Sequence, residues 1–313
     1  MKFDFKDINL IPKKCIVNSR SECDTSVQLG NYKFKMPIIP ANMDCVINEI
    51  LAQELAEKSY FYILHRFSND IYHFVKTMKV RDLISSISIG VNKNDTYLLR
   101  DLAKTSLIPE YITIDIAHGH SIKMEKTLAF VKELMPNSFI IAGNVCTPEA
   151  VLDLESWGAD AVKIGISNGS VCTTYPVTGF GSRYNQASTI LECSKVATKP
   201  IIADGGIKEP GDIAKSLVMG ASLVMIGGML SGFIDSPGTI IDDEGKKYKE
   251  YWGSASSFQS GKKNRIEGKR QLIPLKDKKL LDEYQYLTEC LQSSISYGGG
   301  YDLSCFGSVK YIL

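Results

Sequence analysis

The sequence predicts a single α/β domain of (β/α)8 type, a TIM barrel, and three observations predict it. Eight short apolar runs rich in β-branched residues recur along the chain, at 36–41, 60–65, 83–90, 111–117, 139–145, 161–166, 200–204 and 222–227. Polar–apolar helical patterns lie between them, the clearest at 48–58, 121–134, 147–157 and 209–219. Glycine-rich turns follow the sixth, seventh and eighth runs, whereas a doubly wound sheet, the structural alternative, would carry its nucleotide fingerprint after the first.

Each element has a local reason. The runs are continuously apolar rather than alternating, which marks strands of a parallel sheet buried on both faces. Thr147-Pro148-Glu149 is a helix start, with a capping hydroxyl followed by proline at the first helical position. Residues 1–35 read as an arm with a small hairpin. Residues 236–279 are rich in Gly, Ser and Lys and weak in periodicity, so they read mostly as a long loop, a mobile flap over an active site. A helix is expected over 277–292, and 280–313 forms the helix and tail of one domain spanning 1–313. Beyond the repeated βα unit there is no internal repeat.

Bulk properties set the limits. The chain has 313 residues, 44% of them apolar, enough for a large core; a barrel of this type takes about 250 residues. Lys and Arg number 36 against 35 Asp and Glu, so charge gives no case for a nucleic-acid or membrane partner. The longest apolar stretch falls short of the roughly 20 residues a bilayer requires. The first residues, MKFDFKDINLIP, lack a secretory core segment, and a cytoplasmic protein is expected. Eight cysteines lie scattered without CxxC pairs, which predicts reduced thiols rather than disulfides or zinc.

Active sites of such barrels lie at the carboxyl ends of the strands. The fourth run ends in Asp115-Ile116-Ala117-His118-Gly119-His120 and the fifth in Gly143-Asn144. The sixth runs into Gly165-Ile166-Ser167-Asn168-Gly169-Ser170-Val171-Cys172-Thr173-Thr174. The seventh ends in Asp204-Gly205-Gly206 and the eighth in Gly227-Gly228. Glycine pairs there let backbone N–H groups approach a phosphate, although the same glycines could serve only as tight turns. Asp204 could accept from ribose hydroxyls, or cap the next helix. Together they suggest a mononucleotide. Cys172 sits in a small glycine-containing loop above the mouth, where a thiol can become a nucleophile. Cys15, Cys23, Cys45, Cys146, Cys193, Cys290 and Cys305 are expected to be inert buried thiols.

The segments GISNGSVCTT, IIADGGI and LVMIGG resemble the IMP dehydrogenase/GMP reductase family. The similarity covers nearly the whole chain, from NSRSECDT through TIDIAHGHS and IAGNV to YKEYWGSAS, IEGK and LQSSISYGGG; the last features are most similar to the bacterial GMP reductase branch. The resemblance implies NADPH-dependent conversion of GMP to IMP and ammonia, in purine salvage, through a covalent thioimidate at Cys172, with Thr174 and Glu267 as proton relay. It puts the GMP phosphate on Ser170, Gly205, Gly206, Gly227 and Gly228, the ribose on Asp204, and the base near Ser254 and Gly268. It puts NADPH on Asp115, Ile166, Ser167 and Arg66, with Ser19 and Arg20 reaching over from a neighbouring subunit of a homotetramer. It also implies a monovalent cation, K+, at the carbonyls of Ser167, Gly169 and Cys172.

Two departures stand out. Ser167-Asn168 occupies the place of the family's usual Gly-Pro, and Tyr175-Pro176 that of Arg-Lys. A barrel that binds a purine nucleotide without turning it over is therefore one alternative. A second is an IMP dehydrogenase lacking regulatory domains, although 236–279 holds no Arg-Tyr pair to activate water. A flavin-dependent barrel would not need the Cys-Thr-Thr loop.

Overall fold

The computed structural model describes residues 2–68, 70–261 and 266–313. Its centre is a parallel sheet of seven strands in the spatial order Ile38–Pro40, Leu223–Ile226, Ile201–Asp204, Ala161–Ile164, Phe139–Val145, Tyr111–Asp115, Ser86–Ile89. Seven of the eight predicted runs supply these strands. The remaining run, 60–65, touches the sheet through one parallel bridge: the Leu64 N–H donates to the Ser86 carbonyl at 3.0 Å, and the Ser88 N–H to the Leu64 carbonyl at 2.9 Å.

The sheet is curled. Ile39, from one edge strand, and Phe61 and Ile63, beside the other edge, share one buried cluster with Tyr111, Ile141, Ala161, Ile202 and Leu223. Alternate positions on the same strands, such as Ile38, Ile87, Ile112, Ile140, Val162 and Val224, face outward into a second cluster with the helices. Burial on both faces is why the runs read as continuously apolar. The helices begin where side chains satisfy their first N–H groups. Asn48 accepts from Leu51 (3.0 Å) and opens Glu49–Glu57, and Thr147 accepts from Ala150 (3.2 Å) ahead of Pro148–Ser156.

The amino-terminal end of the sheet is stoppered. A hairpin, Val27–Leu29 with Tyr32–Phe34, lays Leu29 and Phe34 against Phe61 and Tyr111. The Tyr111 hydroxyl donates to the Leu29 carbonyl at 2.6 Å. Gly30 passes so near Phe139 that a Cβ there would lie 2.7 Å from its ring.

The stretch 236–279 departs from the long loop expected of it. It holds a three-stranded antiparallel sheet, Ile240–Asp243, Lys246–Trp252 and Arg270–Pro274, and the short helix Ser257–Ser260. The middle strand reads KKYKEYW, whose lysines and glutamate hid its periodicity. Lys246 and Lys247 are exposed, but the inner two are buried with partners: Lys249 Nζ donates to the Ser236 carbonyl at 2.6 Å, and Glu250 pairs with Arg270. The part of that expected flap at 262–265 lies outside the described residues. The carboxyl-terminal helix, Leu280–Gly298, is also longer than expected.

Candidate active site

The carboxyl ends of four neighbouring strands build a polar floor. Asp115 ends one strand, Asn144 lies near the end of the next, Lys163 is the penultimate residue of the third, and Asp204 closes the fourth. Lys163 is 2% exposed. Its Nζ lies 2.5 Å from Asp204 Oδ2 and 3.3 Å from Asp115 Oδ1. Asn144 Nδ2 donates to Asp204 Oδ2 (2.7 Å) and to the Gly165 carbonyl (2.6 Å). Asn42 Nδ2 donates to Asp115 Oδ2 at 2.7 Å. Burial pushes the Asp115 carboxyl up, but the Lys163 ammonium and the Asn42 amide outweigh it and hold the group below its ordinary value. Burial likewise works against the Lys163 charge, and the two carboxylates overcome it and raise the ammonium.

Above the floor, two distant segments meet. Cys172 pairs with Gly268 in an antiparallel bridge. The Thr173 N–H donates to the Glu267 carbonyl (3.0 Å), its hydroxyl to the Ile266 carbonyl (2.8 Å), and the Lys269 N–H to the Val171 carbonyl (2.9 Å). This stitching brings three side chains into line. Thr174 Oγ1 lies 3.3 Å from Cys172 Sγ and donates to Glu267 Oε2 at 2.8 Å. With the single hydroxyl proton directed at the carboxylate, the thiol is left to donate to Thr174 Oγ1.

Floor and seam face one cavity of about 410 Å3. Of the residues singled out from sequence, Cys172, Thr174, Glu267, Asp204 and Ser254 line it, as do Asp115, Arg66, Ile166, Ser167 and Gly169. Its volume lies within the range of small-molecule sites. Ser170, Gly205, Gly206, Gly227, Gly228 and Gly268 are not part of its lining; Gly205 and Gly206, which follow Asp204, have φ of 84° and 88°, conformations that favour glycine. A Cβ on Gly205 would also lie 2.9 Å from Asn168 Cβ. A Cβ on Gly227 would collide with the Tyr251 hydroxyl, while Gly228 has open space beside it. The Ser170 hydroxyl accepts from Gln271 Nε2 at 3.3 Å and also bonds Tyr251. Burial raises the Tyr251 phenol above its ordinary value, so it stays protonated.

Ser19 and Arg20 are not brought to this cavity within one chain. They form a capped turn in which Arg20 Nη1 lies 3.5 Å from Ser293 Oγ of the carboxyl-terminal helix. Arg20 borders a separate groove of about 820 Å3. The cysteine-loop departures are structurally absorbed. Ser167 adopts φ 66°, and its hydroxyl accepts from the Tyr175 N–H at 2.8 Å. Asn168 Nδ2 donates to Ser182 Oγ (2.8 Å) and Gln186 Oε1 (2.7 Å). Tyr175 packs edge-on against Tyr184.

Among the other thiols, Cys23, Cys45, Cys193 and Cys305 are buried as expected, and burial pushes Cys45 and Cys193 up to about 12. Cys15 is exposed, and Cys146 and Cys290 are half-buried, which corrects the expectation of burial for all seven. Lys163, Asn42 and Tyr251 were missed in the sequence. Lys163 had a legible signal: a lysine inside the apolar run AVKIGI can enter a two-faced sheet only with a partner.

These features define an α/β enzyme whose chemistry gathers at the carboxyl ends of a parallel sheet, around a thiol and a pair of carboxylates. The chain belongs to the IMP dehydrogenase / GMP reductase family: the IMP dehydrogenase / GMP reductase domain matches residues 2–304. It is 53% identical to GMP reductase of Albidiferax ferrireducens over 310 residues, covering 99% of this chain and 95% of that protein. GMP reductase of Mesoplasma florum is 52% identical over 312 residues, covering 99% and 97%. GMP reductase of Bacillus subtilis is 52% identical over 312 residues, covering 99% and 95%. No helix among the described residues is long and apolar enough to cross a membrane.

Proposed function

We propose that this chain reduces GMP to IMP and ammonia with NADPH, through a covalent adduct on Cys172, and so serves purine salvage. The observation that carries the reading is the hydrogen-bonded line from Cys172 Sγ through Thr174 Oγ1 to Glu267 Oε2. A thiol donating along that line can pass its proton through the Thr174 hydroxyl to the Glu267 carboxylate as Sγ bonds to C2 of the purine. Glu267 then holds the proton that the departing 2-amino group requires, because an unprotonated amine leaves poorly. The C2–N bond breaks, ammonia departs, and a thioimidate remains on Cys172. NADPH, when bound, supplies the hydride that takes the amino group's place at C2. Cleavage of the C–S bond returns the thiolate to Thr174.

The same reading assigns the substrate to groups in and beside the cavity. The positive-φ turn at Gly205-Gly206, Gly227-Gly228 and the Ser170 hydroxyl suit the phosphate, and Asp204 the ribose hydroxyls. Ser254 and the backbone at Gly268 lie where the base would meet Cys172. Asp115, Arg66, Ile166 and Ser167 share the cavity with Cys172, and this mixture of charged, polar and apolar groups fits the nicotinamide nucleotide. Ser19 and Arg20 reach NADPH only from a second copy, as the homotetramer reading requires. The carbonyls of Ser167, Gly169 and Cys172 would hold K+; that of Gly169 already accepts the Cys172 N–H at 3.1 Å, which occupies one of its two lone pairs. Also part of this reading are closure of the curled sheet into a full (β/α)8 barrel, with 60–65 as the eighth strand, movement of 236–279 as a flap, and location in the cytoplasm.

The test mixes purified protein with GMP and NADPH and follows cofactor absorbance and ammonia, with IMP and NAD+ in parallel. Loss of absorbance with stoichiometric ammonia, and a drop of about 10^4-fold or more in Cys172→Ala, is the expected result. A signal from IMP and NAD+ alone would move the assignment to the dehydrogenase. Binding of GMP with no turnover under either condition would make the chain a nucleotide-binding protein.

A further inference from the structure

We infer that Lys163 is a positioning residue that serves both halves of the cavity at once, its single ammonium acting as the shared countercharge of the two ligand-facing carboxylates Asp204 and Asp115. The inference rests on the reading that Asp204 faces the nucleotide and Asp115 the reduced cofactor.

The strand register makes the sharing possible. Asp115 stands opposite Gly143, and Gly143 opposite Lys163, so the three positions form a row across adjacent strands. A Cβ on Gly143 would lie 2.7 Å from Lys163 Cβ, so glycine at that position leaves the lysine stem its space. The ammonium thus reaches Asp115 Oδ1 two strands away at 3.3 Å while holding Asp204 Oδ2, on its other neighbour, at 2.5 Å. Asn42 and Asn144 each add one amide donor, to Asp115 Oδ2 and Asp204 Oδ2, so both carboxylates are fixed in rotation.

Charge counting gives the consequence. Two carboxylates and one ammonium carry a net charge of −1; the Arg66 guanidinium also acts on Asp115, though from beyond ion-pair distance, and the ammonium is too buried to touch either ligand. Removing it leaves two carboxylates in one partly dry pocket with no cation between them, so each repels the other and turns away from its ligand. Binding then weakens at both carboxylates. Deleting one carboxylate as well restores the original net charge of −1 and frees the other. A lysine that merely filled space would show no such reciprocity.

The experiment measures the affinity of the full-length protein for GMP and, separately, for NADP+ as an unreactive stand-in for the cofactor. The proteins compared are wild type, Lys163→Met, Lys163→Arg, and Lys163→Met combined with Asp115→Asn or Asp204→Asn. Lys163→Met should lose about 30-fold in affinity for both ligands, and Lys163→Arg should retain most of it. GMP affinity should return in Lys163→Met/Asp115→Asn, and NADP+ affinity in Lys163→Met/Asp204→Asn. Loss for one ligand only, or no recovery in either double variant, would overturn the sharing. If Lys163→Met fails to fold, the double variants and Lys163→Arg still decide, because sharing predicts that each double variant folds and binds one ligand. If the wild type binds neither GMP nor NADP+, the functional reading fails instead, which is a distinct outcome.

Discussion

The floor of the cavity and the seam above it solve the same problem, holding reactive groups in place, by opposite means. The floor is built from neighbouring strands of one sheet, so the spacing of Asp115, Lys163 and Asp204 follows from strand register, while Asn144 stands where the register shifts between Gly143 and Val145. Its charges are paired in a buried setting. The seam joins Thr174 to Glu267, 93 residues apart in sequence, through a few backbone bonds between a loop and the 236–279 insertion. A register-built floor is available whenever the sheet is folded, whereas the line Cys172–Thr174–Glu267 exists only while the insertion sits on the cysteine loop. Binding and turnover should therefore come apart under mutation.

The strongest way to test the floor is Lys163→Met. It should cost about 4 kcal/mol of unfolding free energy near pH 7, since it strips a buried pair of its cation. The pH dependence should change as well. In the native protein the Asp115 carboxyl is held below its ordinary 3.8, so its contribution to stability is full above that pH and is lost as pH falls through the lowered value. Without Lys163, the Asn42 amide and the Arg66 guanidinium alone oppose burial, and the folded carboxyl should rise from its native value. The variant should then gain stability relative to the native protein as pH falls from 7 toward 4, and denaturant melts at both pH values would show whether the gap narrows.

Glu267→Gln sharpens the other side. It should reduce turnover about 100-fold, roughly 2.7 kcal/mol of barrier, while GMP affinity stays within about twofold. An equal loss of affinity would mean that the seam also shapes the floor. Gly205→Ala should cost about 2 kcal/mol of GMP binding, because alanine is strained at φ 84° and its Cβ meets Asn168; calorimetric titration reads this directly. The smallest effect belongs to Ser167→Gly. Relief of a left-handed serine, about 1 kcal/mol, is offset by loss of the acceptor for the Tyr175 N–H, also about 1 kcal/mol. Unfolding free energy should shift by less than about 1 kcal/mol, and a large loss would show the hydroxyl to be indispensable to the loop.

The same contrast explains what could be read from the sequence. The strands of the floor were legible because burial on both faces writes a continuous apolar run, and the chemistry-bearing residues stand where those runs stop. Glu267 was found only through the IEGK segment's likeness to a family, because a glutamate near lysines looks like a solvated loop charge until the bridge to Cys172 is seen. The strand Lys246–Trp252 was missed for a related reason. Its buried Lys249 donates to a carbonyl of Ser236 and its buried Glu250 pairs with Arg270, partners that no local pattern reveals. The run at 60–65 was legible as apolar, but its single bridge at Leu64 depends on the curl of the sheet rather than on its own residues.

The aromatic stopper at the amino-terminal end of the sheet bears on traffic. With Leu29, Phe34, Phe61 and Tyr111 wedged together there, the chamber is a cul-de-sac. Whatever arrives must pass the mouth at the strands' carboxyl ends, and whatever is made must turn round and depart by the same door.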